Sequence, residues 1–475
     1  MDRKVFHFLF FAILLVALLE RLLPVIHNNF YFTMDQGNDA VHVREILERR
    51  EILLRGPETG INGLYAGPLW YYFLSIGYKL FDGHPSGAIF MLIVLNVALT
   101  AIIMLVVAKN VSRSWGIIIG GTLQISWWFY NASRYAFNPF VLVFLSFLLI
   151  FFLRDFLRGR DKSFILAGVF VGLGFHAEVA GSMALLLFYF LIGLWSRVKR
   201  HTPLSTFLGG MGVIFLFFIP HILSEIQSDL GQTYSLLREL KHPQGAFSNQ
   251  SLIDVTKHLL QQTSQSTFYQ NQKIGIIIFL TMISLTIKNH LEGKKLNEFV
   301  AHFLLLTTIL VGVTWVFFSS NYGWRDWQTV YVYPLIFISV LLLLSQLKRK
   351  IALIFIMIII ASHITTFIER YRESFKISPD PSILTNELVA IDWVYQKSEG
   401  RGFNVYSYLP SAVDYPYQYL FWWYGIKKYA YVPCDYSSYP GSPKPLYIPG
   451  SGNYENPKKE CTNLRFLIIE PDKNL

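Results

Sequence analysis

Apolar runs close to the length of one membrane crossing recur along this chain, separated by short polar gaps, and this leaves little freedom of fold. About 20 apolar residues suit one helical crossing of a hydrocarbon core about 30 Å thick, because a helix satisfies its own backbone hydrogen bonds. The runs lie near 5–26, 86–108, 114–130, 138–154, 163–177, 180–195, 204–224, 273–287, 298–318, 329–346 and 350–367, which makes about eleven expected spans. Composition agrees. Hydrophobic residues are 53% and charged residues only 15%, where ordinary soluble domains carry about 25% charged. The expected fold class is an all-α polytopic membrane protein. No small-residue cleavage site follows the first run, and Glu20-Arg21 interrupts its end, so a retained span is expected rather than a cleaved leader.

The formal net charge of +10 does not point to nucleic acid. Its lysines and arginines cluster in the short loops 109–113, 154–162, 196–203, 288–297 and 347–350. Basic loops of this kind mark the cytoplasmic side. All of them fall on one side if the first span starts in the cytoplasm and residues 68–81 do not cross. That segment is short and rich in Trp and Tyr, as expected of an interfacial helix. The segment 27–85 then forms a first external loop.

The opposite loops differ. They carry Arg134 in an Asn-Ala-Ser-Arg-Tyr stretch, His176 with Glu178, a long loop 225–272, and Arg325 within 321–327. An odd number of spans leaves residues 368–475 outside as well. This tail is rich in Pro and Tyr and predicts a small α/β domain, with a helix near 383–398 and strands near 402–408 and 464–469. The expected division is 1–367 and 368–475. Both cysteines, Cys434 and Cys461, lie in the tail, and an oxidising exterior would permit a disulfide between them.

The unusual polar residues thus share one face, and the stretch Thr33-Met34-Asp35-Gln36 is the most informative part of it. Thr33 with Gln36 reads as a capping box, so a helix is expected from Met34 to about Leu54, ended by Gly56-Pro57. Asp35 and Asp39 then share a face, one turn apart, near the positive end of the helix dipole. Two readings fit these acids. They cap an interfacial helix, or they hold a carboxylate ready to act as a general base at the membrane boundary. Arginine suits a phosphate leaving group, through its fork geometry and fixed charge. The rings of Trp70, Tyr71 and Tyr72 suit the apolar faces of a sugar, or an interfacial belt. No cysteine spacing suits zinc, no cofactor is called for, and a divalent metal is left open.

The pieces Met34-Asp35-Gln36, Gly67-Pro68-Leu69-Trp70-Tyr71-Tyr72 and Lys79-Leu80-Phe81-Asp82-Gly83 resemble the GT-C glycosyltransferases. The likeness is greatest to the bacterial branch related to protein O-mannosyltransferases and the lipid A aminoarabinose transferase. It implies an inverting transferase that uses a polyprenyl-phosphate sugar, with Asp35 as catalytic carboxylate. The acceptor is left unknown: protein, lipid or envelope glycan. The chain departs from the pattern in two places. Gln36 stands where a second acid is usual, with Asp39 as the next one. Gly67 stands where a Lys, His or second Pro is usual. Arg325, ahead of Tyr331-Val332-Tyr333-Pro334, is similar to the Arg that opens a late span in this family. A lipid-linked glycan polymerase or ligase is the nearest rival reading. A transporter or flippase is disfavoured by charges that sit at span ends and by the lack of a repeat.

Overall fold

The computed structural model describes residues 1–241, 251–268, 271–292, 295–319, 324–409, 414–436 and 458–471. The first half runs α1 (Arg3–Ile26), α2 (Met34–Arg49), α3 (Leu69–Leu80), α4 (Ser86–Asn110), α5 (Arg113–Ile125), α6 (Trp127–Asn131), α7 (Val141–Leu157), α8 (Lys162–Gly174) and α9 (Val179–Lys199). It continues with α10 (Leu204–Phe217), α11 (Ile219–Gln227), α12 (Gly231–Lys241), α13 (Leu252–Thr267), α14 (Gln272–Leu291), α15 (Glu298–Phe317), α16 (Val332–Leu344) and α17 (Arg349–Glu373). After α17 come α18 (Leu384–Ser398), β1 (Gly402–Tyr408), α19 (Tyr415–Tyr424) and β2 (Cys461–Ile469).

Every apolar run of the sequence coincides with a helix or a broken pair. Among the described residues six helices are long and apolar enough to cross a membrane, or seven if the bent pair α10–α11 counts as one span. The expected eleven spans go beyond this test. Helices such as α5, α8 and α16 have 13 residues each, which rise only about 20 Å. The run 114–130 breaks at Ser126, whose extended backbone separates α5 from α6. The pair α10–α11 bends by 46°. Pro220 stands in the first turn of α11, where its missing N–H costs nothing. The expected loop 225–272 is in its described part largely helical, as α12 and α13. Residues 321–323 of the late external stretch lie outside the described residues.

Two boundaries near the acids differ from expectation. α2 ends at Arg49, short of Leu54, because Arg50 takes the left-handed conformation (φ 57°) and closes the helix. Pro68 caps α3 from outside rather than occupying its first turn.

The tail forms the expected α/β unit, with β1 and β2 paired in parallel and α18 and α19 packed together. It is not set apart from the first loop. Leu384 N–H donates to Phe30 O (3.0 Å) and Phe32 N–H to Ser382 O (2.9 Å). Tyr419 donates to Gly83 O (2.7 Å) and Trp423 Nε1 to Asp82 O (3.0 Å). The tail therefore clasps both ends of the segment that carries α2 and α3.

Cys434 and Cys461 are disulfide-bonded, with Cα atoms 6.0 Å apart and a sequence separation of 27. Closing a loop of that length stabilises by about 3–4 kcal/mol in the chain-entropy account. Non-reducing peptide mapping of protein from its native envelope should recover one linked peptide containing both residues. Recovery of two free thiols would contradict the assignment.

Candidate active site

α2 is a polar helix held on nearly every side. Gln36 Oε1 accepts from the Thr33 N–H (3.0 Å) and hydroxyl (2.6 Å), closing the expected cap. Its Nε2 donates to Ala136 O (2.7 Å), which fixes the helix start against the α6–α7 connection. Gly37 lies flat on the tail. A Cβ there would sit 2.3 Å from Pro416 N, so only glycine permits α2 and α19 this close. Asp39 is 4% exposed, and its Oδ2 accepts from Trp70 Nε1 at 2.7 Å. Asp35 is left on the one open edge.

That edge faces a cavity of about 930 Å³. Five of the sequence candidates line it: Asp35, Asp39, Tyr71, Glu178 and Arg325. Residues from α2, α3, the loop ahead of α9 and the segment after α15 are thereby brought together. Asp326 anchors the last of these. Its Oδ1 accepts from Tyr333 (2.5 Å) and Trp324 Nε1 (3.3 Å) and lies 3.0 Å from His258 Nε2. Arg325 itself lies over the ring of Trp327 at 5.5 Å.

Four candidates sit behind or beside the cavity. Trp70 is buried and orients Asp39. Tyr72 bonds the backbone of Leu53, accepting from its N–H at 2.9 Å, and so ties down the loop after α2. His176 bridges two elements: Nδ1 accepts from Leu69 N–H at 3.4 Å, and Nε2 donates to Phe217 O at 3.0 Å. Its ring fills the space a side chain at position 67 would need, since a Cβ on Gly67 would lie 1.9 Å from His176 Nδ1. Arg134 lies over the rings of Tyr31 (5.6 Å) and Trp127 (5.7 Å), away from the cavity lining.

The cavity also holds residues that sequence reasoning missed, among them His42, Arg55, Trp327 and Tyr415. His42 lies parallel to Tyr71, ring centroids 4.8 Å apart, with Nδ1 2.9 Å from Asn38 O. It stands seven residues after Asp35, on the same helical face, so the periodicity that paired the two acids extends to it. Arg55 lies in an irregular loop and Tyr415 in the distant tail, where no local signal points to a site.

Protein crowds these groups and shifts their titration. Asp35 is open to the cavity yet ringed by protein, and that desolvation raises its carboxyl above the usual range. Burial raises Asp39 far more, against the opposing Trp70 bond. The two carboxyls therefore titrate apart, with Asp35 ionising first. Glu178 caps α9 by accepting from Ala180 N (3.2 Å) and from Gly181 N, and burial pushes it up to about 7. Burial lowers His176 to about 4, so its imidazole is neutral near pH 7. Among the described residues no group of three or more His, Cys, Asp or Glu is gathered closely enough to hold a metal ion.

Residues 66–223 match the family described as dolichyl-phosphate-mannose-protein mannosyltransferase. The match begins after the acid helix and leaves Asp35 outside it. No curated protein matches the chain in sequence. The crystal structure of ArnT from Cupriavidus metallidurans bound to undecaprenyl phosphate superposes with a TM-score of 0.57 at 13% identity, covering 91% of this chain and 90% of that one. The apo structure of the same protein gives 0.56 at 12% identity, with coverages of 86% and 83%. The chain thus resembles the GT-C membrane glycosyltransferases twice over, in the sequence of its α3–α11 region and in the fold of nearly its whole length.

Proposed function

We propose that this protein moves a sugar from a polyprenyl-phosphate donor to a hydroxyl acceptor, with inversion at the anomeric carbon. The observation that carries the reading is the cavity that gathers Asp35, Asp39 and Arg325 beside the apolar helices. The ArnT fold supports the donor class, since one ArnT structure is bound to undecaprenyl phosphate. Asp35 takes the proton of the acceptor hydroxyl as its oxygen attacks the anomeric carbon. The bond from that carbon to the phosphate oxygen breaks, and its electron pair leaves with the lipid phosphate. Arg325 stabilises the growing charge. Asp39, whose burial favours the neutral form, holds the α2–α3 contact through Trp70, and that burial opposes a second charge beside Asp35.

The acid and its neighbour are separable by mutation. Asp35→Asn keeps size but loses the base, and should lower turnover by roughly 10²–10⁴ with the fold intact. The wild-type rate should rise with pH through a value above the ordinary aspartate range, following the raised Asp35 carboxyl. Asp39→Asn mimics the neutral form and should cost less than tenfold or so. A raised folded-state pKa gives stability that is full below the unfolded value and lost as pH rises through the folded one. Thermal melts at pH 5 and pH 8 should therefore differ less for Asp39→Asn than for wild type. Undiminished transfer by Asp35→Asn would sink the mechanism.

Arg325→Lys keeps the charge but loses the fork, so turnover should drop by roughly tenfold or more. Transfer near the wild-type rate in Arg325→Ala would leave this residue a packing partner of Trp327.

The basic loops support a site and tail on the non-cytoplasmic side. Lys397 is exposed in the last turn of α18, and no free cysteine competes with a probe. An impermeant maleimide should label Lys397→Cys in intact cells. Labelling only after permeabilisation would reverse the orientation.

A further inference from the structure

The loop after α2 carries an arginine that the reading above leaves without a task. Arg55 lines the cavity and is half-buried. Its Nε donates to Ser224 Oγ at 2.6 Å, and its guanidinium carbon lies 5.3 Å over the ring of Tyr65. Both supports are held by one residue of α12. Gln232 Oε1 accepts from Tyr65 N–H at 2.9 Å, and its Nε2 donates to Ser224 Oγ at 3.1 Å. Ser224 is 0% exposed and Gln232 5%. The guanidinium is thus fixed on its Nε edge and on one face by a buried network.

Its outer edge is treated differently. Among the described residues no carboxylate lies within ion-pair distance of Arg55, and its two terminal nitrogens have no hydrogen-bond partner. Neither nitrogen is sealed from solvent. Acids stand in the same cavity, yet Glu51 pairs with Arg49 (3.2 Å) and Glu58 accepts from Gly63 N (2.6 Å). A guanidinium held at its Nε edge, with terminal nitrogens that are unpaired and not sealed from solvent in a residue that lines the cavity, suits an oxyanion with two acceptor oxygens. Preorganisation of this kind is what an anion site requires.

We propose that Arg55 is an oxyanion site of the cavity, distinct from Arg325, that takes a phosphate ester. The proposal rests on the transferase reading for the identity of its ligand. Two sources share this chemistry: the phosphate of the lipid donor and a phosphate carried by the acceptor. Arg325 approaches the same loop elsewhere. Its NH1 would lie 3.6 Å from a Cβ on Gly60, five residues along from Arg55.

The test uses the full chain in lipid nanodiscs, with two probes, a polyprenyl phosphate and the soluble glucose 1-phosphate. Binding is measured on the Asp35→Asn background, where turnover is slowed roughly 10²–10⁴-fold. Arg55→Gln removes the charge at similar length, and Arg55→Lys keeps the charge without the Ser224 tether. Folding of each variant is checked by thermal melting. Loss of a charge-assisted bidentate contact should weaken binding about 10- to 100-fold in Arg55→Gln, with partial recovery in Arg55→Lys. A loss confined to the polyprenyl phosphate assigns the site to the donor. A loss confined to glucose 1-phosphate assigns it to a phosphorylated acceptor. Wild-type affinity for both probes in Arg55→Gln would overturn the site and leave the transferase reading standing. No binding of polyprenyl phosphate before Arg55 is altered would remove both.

Discussion

The burial of α2, a helix too polar to bury itself, is the constraint on which the site depends. Three contacts do it from three directions. Trp70 Nε1 reaches Asp39 from α3, Gln36 Nε2 reaches Ala136 O, and Gly37 lets Tyr415–Pro416 of the tail lie against the helix backbone. Each satisfies a polar group or removes a side chain that would hold the elements apart. What remains uncovered is the edge with Asp35, Asn38 and His42. The site is therefore what is left open when the rest of the helix is closed, and its geometry follows from packing on the other faces.

The membrane part contains a second polar arrangement, of another kind. Glu20 and Arg21 of α1 and Arg370 of α17 are all buried. Glu20 lies 3.7 Å from each guanidinium. Arg21 Nε donates to Ser133 Oγ at 2.8 Å, and Arg370 lies 4.3 Å over the ring of Tyr130. Arg370 also points to the carbonyls of Gln124 and Ile125 at 3.4 and 3.3 Å. These carbonyls end α5 where Ser126 breaks the run, so the arginine answers acceptors that the broken helix leaves open. A buried ion pair adds little net stability, but loss of one partner costs about 3–5 kcal/mol because the other is left uncompensated. The cluster ties the first and last long apolar helices to one helix break, and so fixes the connection from which Ala136 O reaches Gln36.

What the sequence revealed was local. The apolar runs, the Thr33–Gln36 cap, the short α3 and both tail strands are written in neighbouring residues, and each became an element at or near its expected place. The end of α2 was not legible, because a left-handed backbone at Arg50 carries no mark when the residue is not glycine. The cavity lining was partly legible. Asp35 and Asp39 share a helix face by spacing alone, and His42 extends that face. Arg325, Glu178 and Tyr415 join them only through tertiary packing, which no local pattern encodes. Trp70 and His176 were read as candidate substrate contacts, and their neighbours in space give them positioning contacts: one orients an acid, and the other joins the start of α3 to the end of α10.

The departure at Gln36 has a physical consequence for the acids. A second carboxylate beside Asp35 would stand at the helix start, close enough to raise the pKa of its neighbour by charge repulsion. Here the position is neutral, and its amide is consumed by Thr33 on the oxygen side and Ala136 on the nitrogen side. An ionised glutamate could accept from Thr33 but could not donate to Ala136, so glutamine serves both contacts where the acid would serve one. The second acid is displaced one turn to Asp39, where burial favours the neutral form and Trp70 holds it. The arrangement leaves Asp35 as the exposed carboxylate near this end of α2, with burial disfavouring charge on Asp39. The helix N-terminus favours that charge, and the crowded surround opposes it enough to keep Asp35 basic. A carboxylate that is ionised yet more basic than usual is suited to take a hydroxyl proton in a transition state.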